Sequence, residues 1–190
     1  MTDISIFGKG NMAQALKVRY EEAGNIVSLI GHETDATLGN IVILAVPYSA
    51  IDDILTKYTE ALKGKILVDI TNPLDFNTFD SLTVPEDSSA AAEIAKKVPE
   101  AKVLKAFNTN FAASLITKKV ADTVKTTVLV AGDDDEAKTT FAAALNGSGL
   151  NVLDAGSLKR ARELESFGFL QLTLAVQEKI SFTGGFGLYK

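Results

Sequence analysis

The amino-acid sequence predicts an α/β domain with a doubly wound, mostly parallel sheet, and three observations carry that reading. Short apolar runs suited to buried strands alternate with stretches whose apolar residues recur at helical spacing. The first strand and helix are joined by Gly8-Lys9-Gly10-Asn11-Met12-Ala13, a G-x-G-x-x-A turn. Ten residues, Gly31 to Asn40, separate the second apolar run from the third, fewer than a parallel crossover with its helix normally takes.

Taken in order, Asp3 to Phe7 reads as a buried strand, and Ala15, Leu16, Val18, Tyr20 and Ala23 mark a helix that stops at Gly24. Ile26 to Ile30 is the second strand and Ile41 to Val46 the third. Ten extended residues reach about 33 Å. Returning along a five-residue strand and over two strand spacings takes roughly 20 Å. The usual third strand and its helix are therefore missing, the first half is shortened, and Ile41–Val46 is expected on the far side of the first strand from the second.

The later units are regular. A helix runs from Tyr48 to Leu62 and is stopped by Gly64, and Ile66 to Ile70 is a strand ending in Thr71-Asn72-Pro73-Leu74-Asp75. Phe76 to Asp87 is a polar loop, and Ser88 or Ser89 caps a helix through Val98. Val103 to Phe107 and Thr126 to Ala131 are strands, followed by a helix to about Leu145 and a short strand over 151–154. Leu158 to Lys179 reads as one long helix, with Leu170, Leu172, Leu174, Val176 and Ile180 as core or dimer surface. Gly184 to Gly187 is a mobile or docked tail. Residues 1–157 form the nucleotide-binding domain and 158–190 the helical extension.

Composition narrows the functional classes. A hydrophobic fraction of 46% in 190 residues supports a sizeable core, and a net charge of −5 argues against nucleic acid or an anionic membrane surface. With no cysteine and one histidine, disulfides, thiolate catalysis and Cys- or His-rich metal sites drop out. The acidic stretch Asp133 to Glu136 falls where a helix begins, so dipole complementation is expected rather than a cation. No apolar run is long enough for a bilayer, and the N-terminus enters a strand directly, so a cytoplasmic protein without a signal peptide is expected.

Between two strands and a helix, the glycine turn has the context of a dinucleotide fingerprint. Gly8 turns the chain off the strand, Gly10 lets a pyrophosphate approach the backbone, and Ala13 keeps the helix close to the sheet. The phosphates would meet the N–H groups at the helix N-terminus, with Asn11 and Met12 beside them. A Rossmann-like sheet binds its ligands beyond the carboxyl ends of its strands. That places Gly8–Met12, Gly31 to Glu33, Val46 to Ser49, Thr71 to Pro73 and Asn108 to Asn110 at the candidate site.

The same blocks, with Leu44-Ala45-Val46-Pro47, Asp69-Ile70-Thr71-Asn72-Pro73-Leu74, Lys105-Ala106-Phe107-Asn108-Thr109, Val130-Ala131-Gly132-Asp133-Asp134 and Asp154-Ala155-Gly156, occur in the order seen in NADPH-dependent coenzyme F420 reductases. The chain resembles that family over essentially its whole length, including Arg160-Ala161-Arg162-Glu163-Leu164-Glu165. The N-P-L and K-A-F-N-T blocks are the specific ones. Membrane metalloreductases carry a similar domain. The resemblance implies a dinucleotide over Gly8–Met12, with its nicotinamide near Val46, Pro47, Asn72 and Pro73. A flat acceptor, F420 or a flavin, would stack beside Tyr48, Phe107, Asn108 and Thr109. It implies hydride transfer, a task of ring alignment more than of acid or base, and a homodimer. No catalytic side chain and no metal are assigned.

Two departures from the family pattern matter. The missing strand and helix normally help wall the adenosine end. The second strand is followed by Gly31-His32-Glu33, where the family typically offers Ser, Thr or Arg to a 2′-phosphate. Lys9 and His32 are the substitutes for NADP, whereas Glu33 on the ribose diol would favour NAD. Two other readings stand beside the oxidoreductase. One is an imine reductase similar to pyrroline-carboxylate reductase, which shares Gly10-Asn11-Met12-Ala13-Gln14-Ala15. The other is a nucleotide-sensing module without turnover.

Overall fold

The structure is a computed structural model that describes residues 1–32 and 35–189. Glu33 lies outside the described residues. In chain order the elements begin with β1 (Asp3–Phe7), α1 (Asn11–Glu22), β2 (Ile26–Ile30), β3 (Ile41–Leu44), α2 (Ile51–Leu62), β4 (Ile66–Asp69), α3 (Ala90–Lys97) and β5 (Lys102–Ala106). They continue with α4 (Ala112–Thr117), β6 (Lys119–Val120), β7 (Val124–Lys125), β8 (Thr127–Gly132), α5 (Asp135–Ala144), β9 (Asn151–Gly156) and α6 (Ala161–Val176). Among the described residues the main sheet has seven strands in the order β2-β1-β3-β4-β5-β8-β9. Neighbours are parallel except β5 and β8, which run antiparallel.

The reach argument for the shortened first half holds, since β3 pairs with β1 on the side away from β2. The short connection is tied down where it crosses under the sheet. Asn40 N donates to Asp3 O at 2.8 Å and Gly39 N to Ser5 Oγ at 2.9 Å. Leu38 and Ala36 take the place of the missing helix, packing with Phe7, Ile30, Val42 and Leu44. The two faces of the sheet carry separate cores. One holds Ile4, Ile6, Leu16, Tyr20, Phe107 and Phe141 under α1, α4 and α5, and the other holds Val42, Leu55, Tyr58, Leu67 and Ile94 under α2 and α3.

Several boundaries differ from the sequence reading. The helix expected from Tyr48 opens as a 3-10 turn over Tyr48–Ala50, and Tyr58 leaves helical geometry inside α2, at φ −112°. Ser89 is the cap of α3, accepting from Ala92 N at 3.1 Å. Asp134 caps α5, accepting from Ala137 N at 2.7 Å, which agrees with the dipole reading of the acidic stretch. The long C-terminal helix begins as a 3-10 turn over Leu158–Arg160 and ends at Val176, with Glu178 in left-handed geometry beyond it.

The structure narrows two readings of the C-terminal part that the sequence leaves open between alternatives. Leu170 and Val176 are exposed, and Leu172, Leu174 and Ile180 are only half-buried, so none belongs to the core. The face of α6 that packs inward is Ala161, Leu164, Glu165, Gly168, Gln171 and Ala175, at i, i+3 and i+4 spacing. The tail is docked. Phe186 N donates to Gln171 Oε1 at 3.1 Å, Ala121 N to Thr183 O at 2.9 Å, and the Phe182 ring meets Phe111 at 5.1 Å. The α4, β6 and β7 segment, missed in the sequence, consists of six-residue and two-residue elements too short for a periodic signal. Among the described residues no helix is long and apolar enough to cross a membrane.

A buried ion network fastens α6 to the sheet. Lys105 on β5 is the register partner of Asp69 on β4, and its Nζ lies 2.7 Å from Asp69 Oδ2 and 2.8 Å from Glu165 Oε1 on α6. All three side chains are no more than 1% exposed. Lys105 Nζ also donates to Thr71 O at 2.5 Å. Both oxygens of Glu165 accept from the start of α3, from Ala90 N at 2.9 Å and Ala91 N at 3.3 Å. Desolvation makes such a network costly to assemble and more costly to leave half-made.

Lys105→Met should therefore lower stability by about 3–5 kcal/mol in urea unfolding, since both carboxylates lose their cation while still buried. The pH dependence has a definite sign. Burial pushes the Glu165 carboxyl above its ordinary 4.5, against the pull of Lys105. The folded chain then holds that proton more tightly than the unfolded chain does. The stability linked to it is full below the ordinary glutamate range and declines as pH rises through the raised value. Urea titrations at several pH values should show that decline in the parent and a flatter profile in Glu165→Gln.

Candidate active site

The loop at the end of β1 has the local geometry an anion needs. Gly8 sits at φ +113°, and a Cβ there would lie 2.2 Å from Ala45 O on the neighbouring strand. Only glycine meets both conditions. Gly10 is the N-cap of α1 at an ordinary φ of −74°, and a Cβ built on it meets nothing within 4 Å. The first turn of α1 holds no acidic residue and has no side-chain cap, so its backbone N–H groups and dipole face this open space. A pyrophosphate fits there on sterics and on charge. Ala13 is fully buried beneath it.

Two cavities flank this loop. The first, about 300 Å³, has an apolar floor of Phe7, Ile30, Val46, Ile54 and Tyr58, with Lys9, His32, Asp53 and Lys57 around its rim. One side of it is α2, which contributes Asp53, Ile54, Lys57 and Tyr58. The Lys9 side chain folds over Gly31, with Nζ and Cε each 3.0 Å from the position a Cβ would take. Lys57 pairs with the exposed Asp35 at 2.7 Å, joining α2 to the short connection after β2.

The second cavity, about 190 Å³, is bordered by Met12, Ile70, Phe107, Phe111 and Leu172 together with the amides Asn72, Asn108, Asn110 and Gln171. Among the described residues that line it, none carries a titratable group. Asn72 and Asn108 bind each other. Asn72 Nδ2 donates to Asn108 O at 2.9 Å, and Asn108 Nδ2 donates to Asn72 Oδ1 at 3.0 Å and to Leu164 O at 2.8 Å. The chain reaches this arrangement by a bend at Phe107, at φ +60°, where Asn108 N donates back to Ala106 O at 2.8 Å. Gly168 on α6 lies flat on the pair, and a Cβ there would come 2.4 Å from Asn72 Oδ1. Any side chain at position 168 would lift α6 off the site.

The sequence-predicted residues thus separate into two groups. Gly8, Lys9, Gly31, His32 and Val46 border the first cavity, and Met12, Asn72, Phe107 and Asn108 the second. Gly10 and Asn11 head the helix between these groups in the chain. Pro47 is exposed and borders neither cavity. Pro73 is buried, its carbonyl taking Thr83 N at 2.7 Å. Tyr48 is half-buried against the α2 core, and burial pushes its phenol up to about 12. Thr109 is buried, its carbonyl accepting from Gln171 Nε2 at 3.1 Å.

Sequence reasoning missed Ile54, Lys57 and Tyr58 in the first cavity and Asn110, Gly168 and Gln171 in the second. For α6 a signal existed. Ala161, Leu164, Gly168, Gln171 and Ala175 recur at helical spacing, but their small or polar side chains were outweighed by the leucines on the other faces.

Comparison with known proteins bears on the whole chain. The family model for "NADP oxidoreductase coenzyme F420-dependent" matches residues 29–73. An F420-dependent NADP reductase of Methanocaldococcus jannaschii is 32% identical over 178 residues, covering 90% of this chain and 79% of the relative. A crystal structure from Arthrobacter sp. FB24 shares the fold with a TM-score of 0.86 at 24% identity, over 100% of both chains. An imine reductase of Myxococcus stipitatus shares it more loosely, with a TM-score of 0.64 at 17% identity over 94% of this chain and 63% of its own. On the 32% identity that spans nine-tenths of its length, the chain belongs to the F420-dependent NADP reductase family and is an NADP-dependent oxidoreductase.

Proposed function

We propose that the chain moves hydride between NADP(H), lying across the Gly8–Met12 loop, and a flat deazaflavin such as F420 in the second cavity. The observation that carries this reading is the chemistry of that cavity, which offers apolar faces and neutral amides and no acid or base among its described residues. Reduction of an imine or a keto acid calls for a positioned proton donor. Hydride passage between two stacked rings calls for alignment.

The roles follow from placement. Gly8 and Gly10 bring the backbone close to the pyrophosphate, and the N–H groups of Asn11 and Met12 receive it. Lys9, folded over Gly31, and His32 beside it stand at the end of β2 to meet a 2′-phosphate. Val46 belongs to the adenosine half, because it borders the first cavity. Met12, Asn72 and the backbone before Pro73 hold the reacting ring, which when bound supplies or accepts the hydride. Phe107 and Asn108 border the acceptor, and the buried Thr109 braces their loop by accepting from Gln171 Nε2. The exposed apolar side chains of α6 and the tail, Phe167, Leu170, Val176, Phe182 and Phe186, support a homodimer through this region.

Thermal unfolding tests the cofactor half of this reading. NADPH at about a hundred times its dissociation constant should add roughly 2.7 kcal/mol and raise the midpoint by a few degrees, with NADH giving less. Gly10→Val should abolish the NADPH shift and leave the midpoint of the free protein nearly unchanged, since its backbone is ordinary and its surroundings are open. An unaltered shift in that variant would remove the pyrophosphate from the loop. Lys9→Gln should weaken NADPH by about tenfold and NADH little, as expected for loss of one charged hydrogen bond. Spectrophotometric oxidation of NADPH with a deazaflavin then tests the acceptor.

A further inference from the structure

Lys105 and Glu165 border neither cavity, yet every bond they make ends on a segment that does or on the helix that braces it. Lys105 Nζ holds Thr71 O at 2.5 Å, the carbonyl immediately before Asn72. Glu165 follows Leu164, whose carbonyl takes Asn108 Nδ2 at 2.8 Å. Three residues further along the same helix, Gly168 lies on the Asn72–Asn108 pair. The ends of β4 and β5 and the first turns of α6 are thus registered to one another by a single ammonium group, and the amide pair is built across that junction.

We propose that Lys105 and Glu165 are positioning residues of the hydride-transfer site, acting through the Asn72–Asn108 pair rather than by touching cofactor or acceptor. A role in stability alone would be met as well by apolar side chains of similar volume. What those cannot do is fix the direction of two amides. Asn108 Nδ2 faces two acceptors and Asn72 Oδ1 one donor, so the orientation of both groups is set wherever Thr71 and Leu164 are held. The second cavity then keeps its shape while α6 closes it. The inference rests on the second cavity being the place where the rings meet.

Glu165→Gln is the variant that tests this. Both carboxylate oxygens accept hydrogen bonds, so the glutamine NH2 must face either Lys105 or the Ala90 N–H, and the junction loosens without a change in size. Turnover of NADPH with a deazaflavin should fall by about 10- to 100-fold at saturation, while the NADPH dissociation constant stays as in the parent. In an Asn108→Ala background the same substitution should cost little more, because the two changes break one chain of contacts. Glu165→Asp, which keeps both acceptor oxygens, should recover part of the rate.

A second readout is independent of turnover. The side-chain NH2 resonances of Asn72 and Asn108 should lose their protection from solvent exchange in Glu165→Gln, while backbone amides of β1 and β3 keep theirs. Unmoved side-chain amides, or losses in the double variant that simply multiply, would overturn the proposal. If the parent reduces no deazaflavin or flavin, the functional reading fails, and the amide resonances alone decide whether the network positions the pair.

Discussion

The interaction on which most of this structure depends is the burial of one lysine between two carboxylates. Lys105 and Asp69 face each other across adjacent parallel strands, and Glu165 reaches them from the C-terminal helix. In a dry interior each of these charges is tolerable only with its partners in place. That requirement fixes more than a pair of side chains. It brings α6 down over the ends of β4 and β5, supplies the acceptors for the first N–H groups of α3, and anchors the carbonyl of Thr71. The amide pair and the seat of Gly168 are consequences.

A second constraint is the length of the chain after β2. With ten residues available the backbone can cross beneath β1 but cannot build another strand and helix. Leu38 and Ala36 plug the face that a helix would cover, and α2 forms one wall of the first cavity. That wall is made from Ile54, Lys57 and Tyr58 of α2. The lysines on the cavity's rim are Lys9 of the glycine loop and Lys57 of α2. Lys9 can fold over position 31 because glycine leaves that space open.

Legibility followed distance along the chain. The glycine turn was readable because its conformation and its helix lie within six residues, and the order β2-β1-β3 was readable because it follows from reach. Asn72 and Asn108 were recognised as polar residues at strand ends, but their mutual hydrogen bonds join positions 36 residues apart. Lys105 and Glu165 both stand inside blocks that mark the family, yet their pairing joins positions 60 residues apart and has no local signature. Leu170 and Val176 read in the sequence as core or dimer surface and are exposed in the structure, because the small residues Gly168 and Ala175 are the ones that permit close packing.

What the sequence determined by itself is whatever local geometry and chain length dictate. That includes the alternation of strands and helices, the left-handed turn at Gly8, the open N-terminus of α1, and the shortened half of the sheet. Only the tertiary structure decided which groups share a cavity, which amides are already paired, and where a buried charge finds its counter-ions. The physical reason is that dihedral preferences and reach act within a few residues. Desolvation and close packing act between surfaces that meet only once the chain has folded.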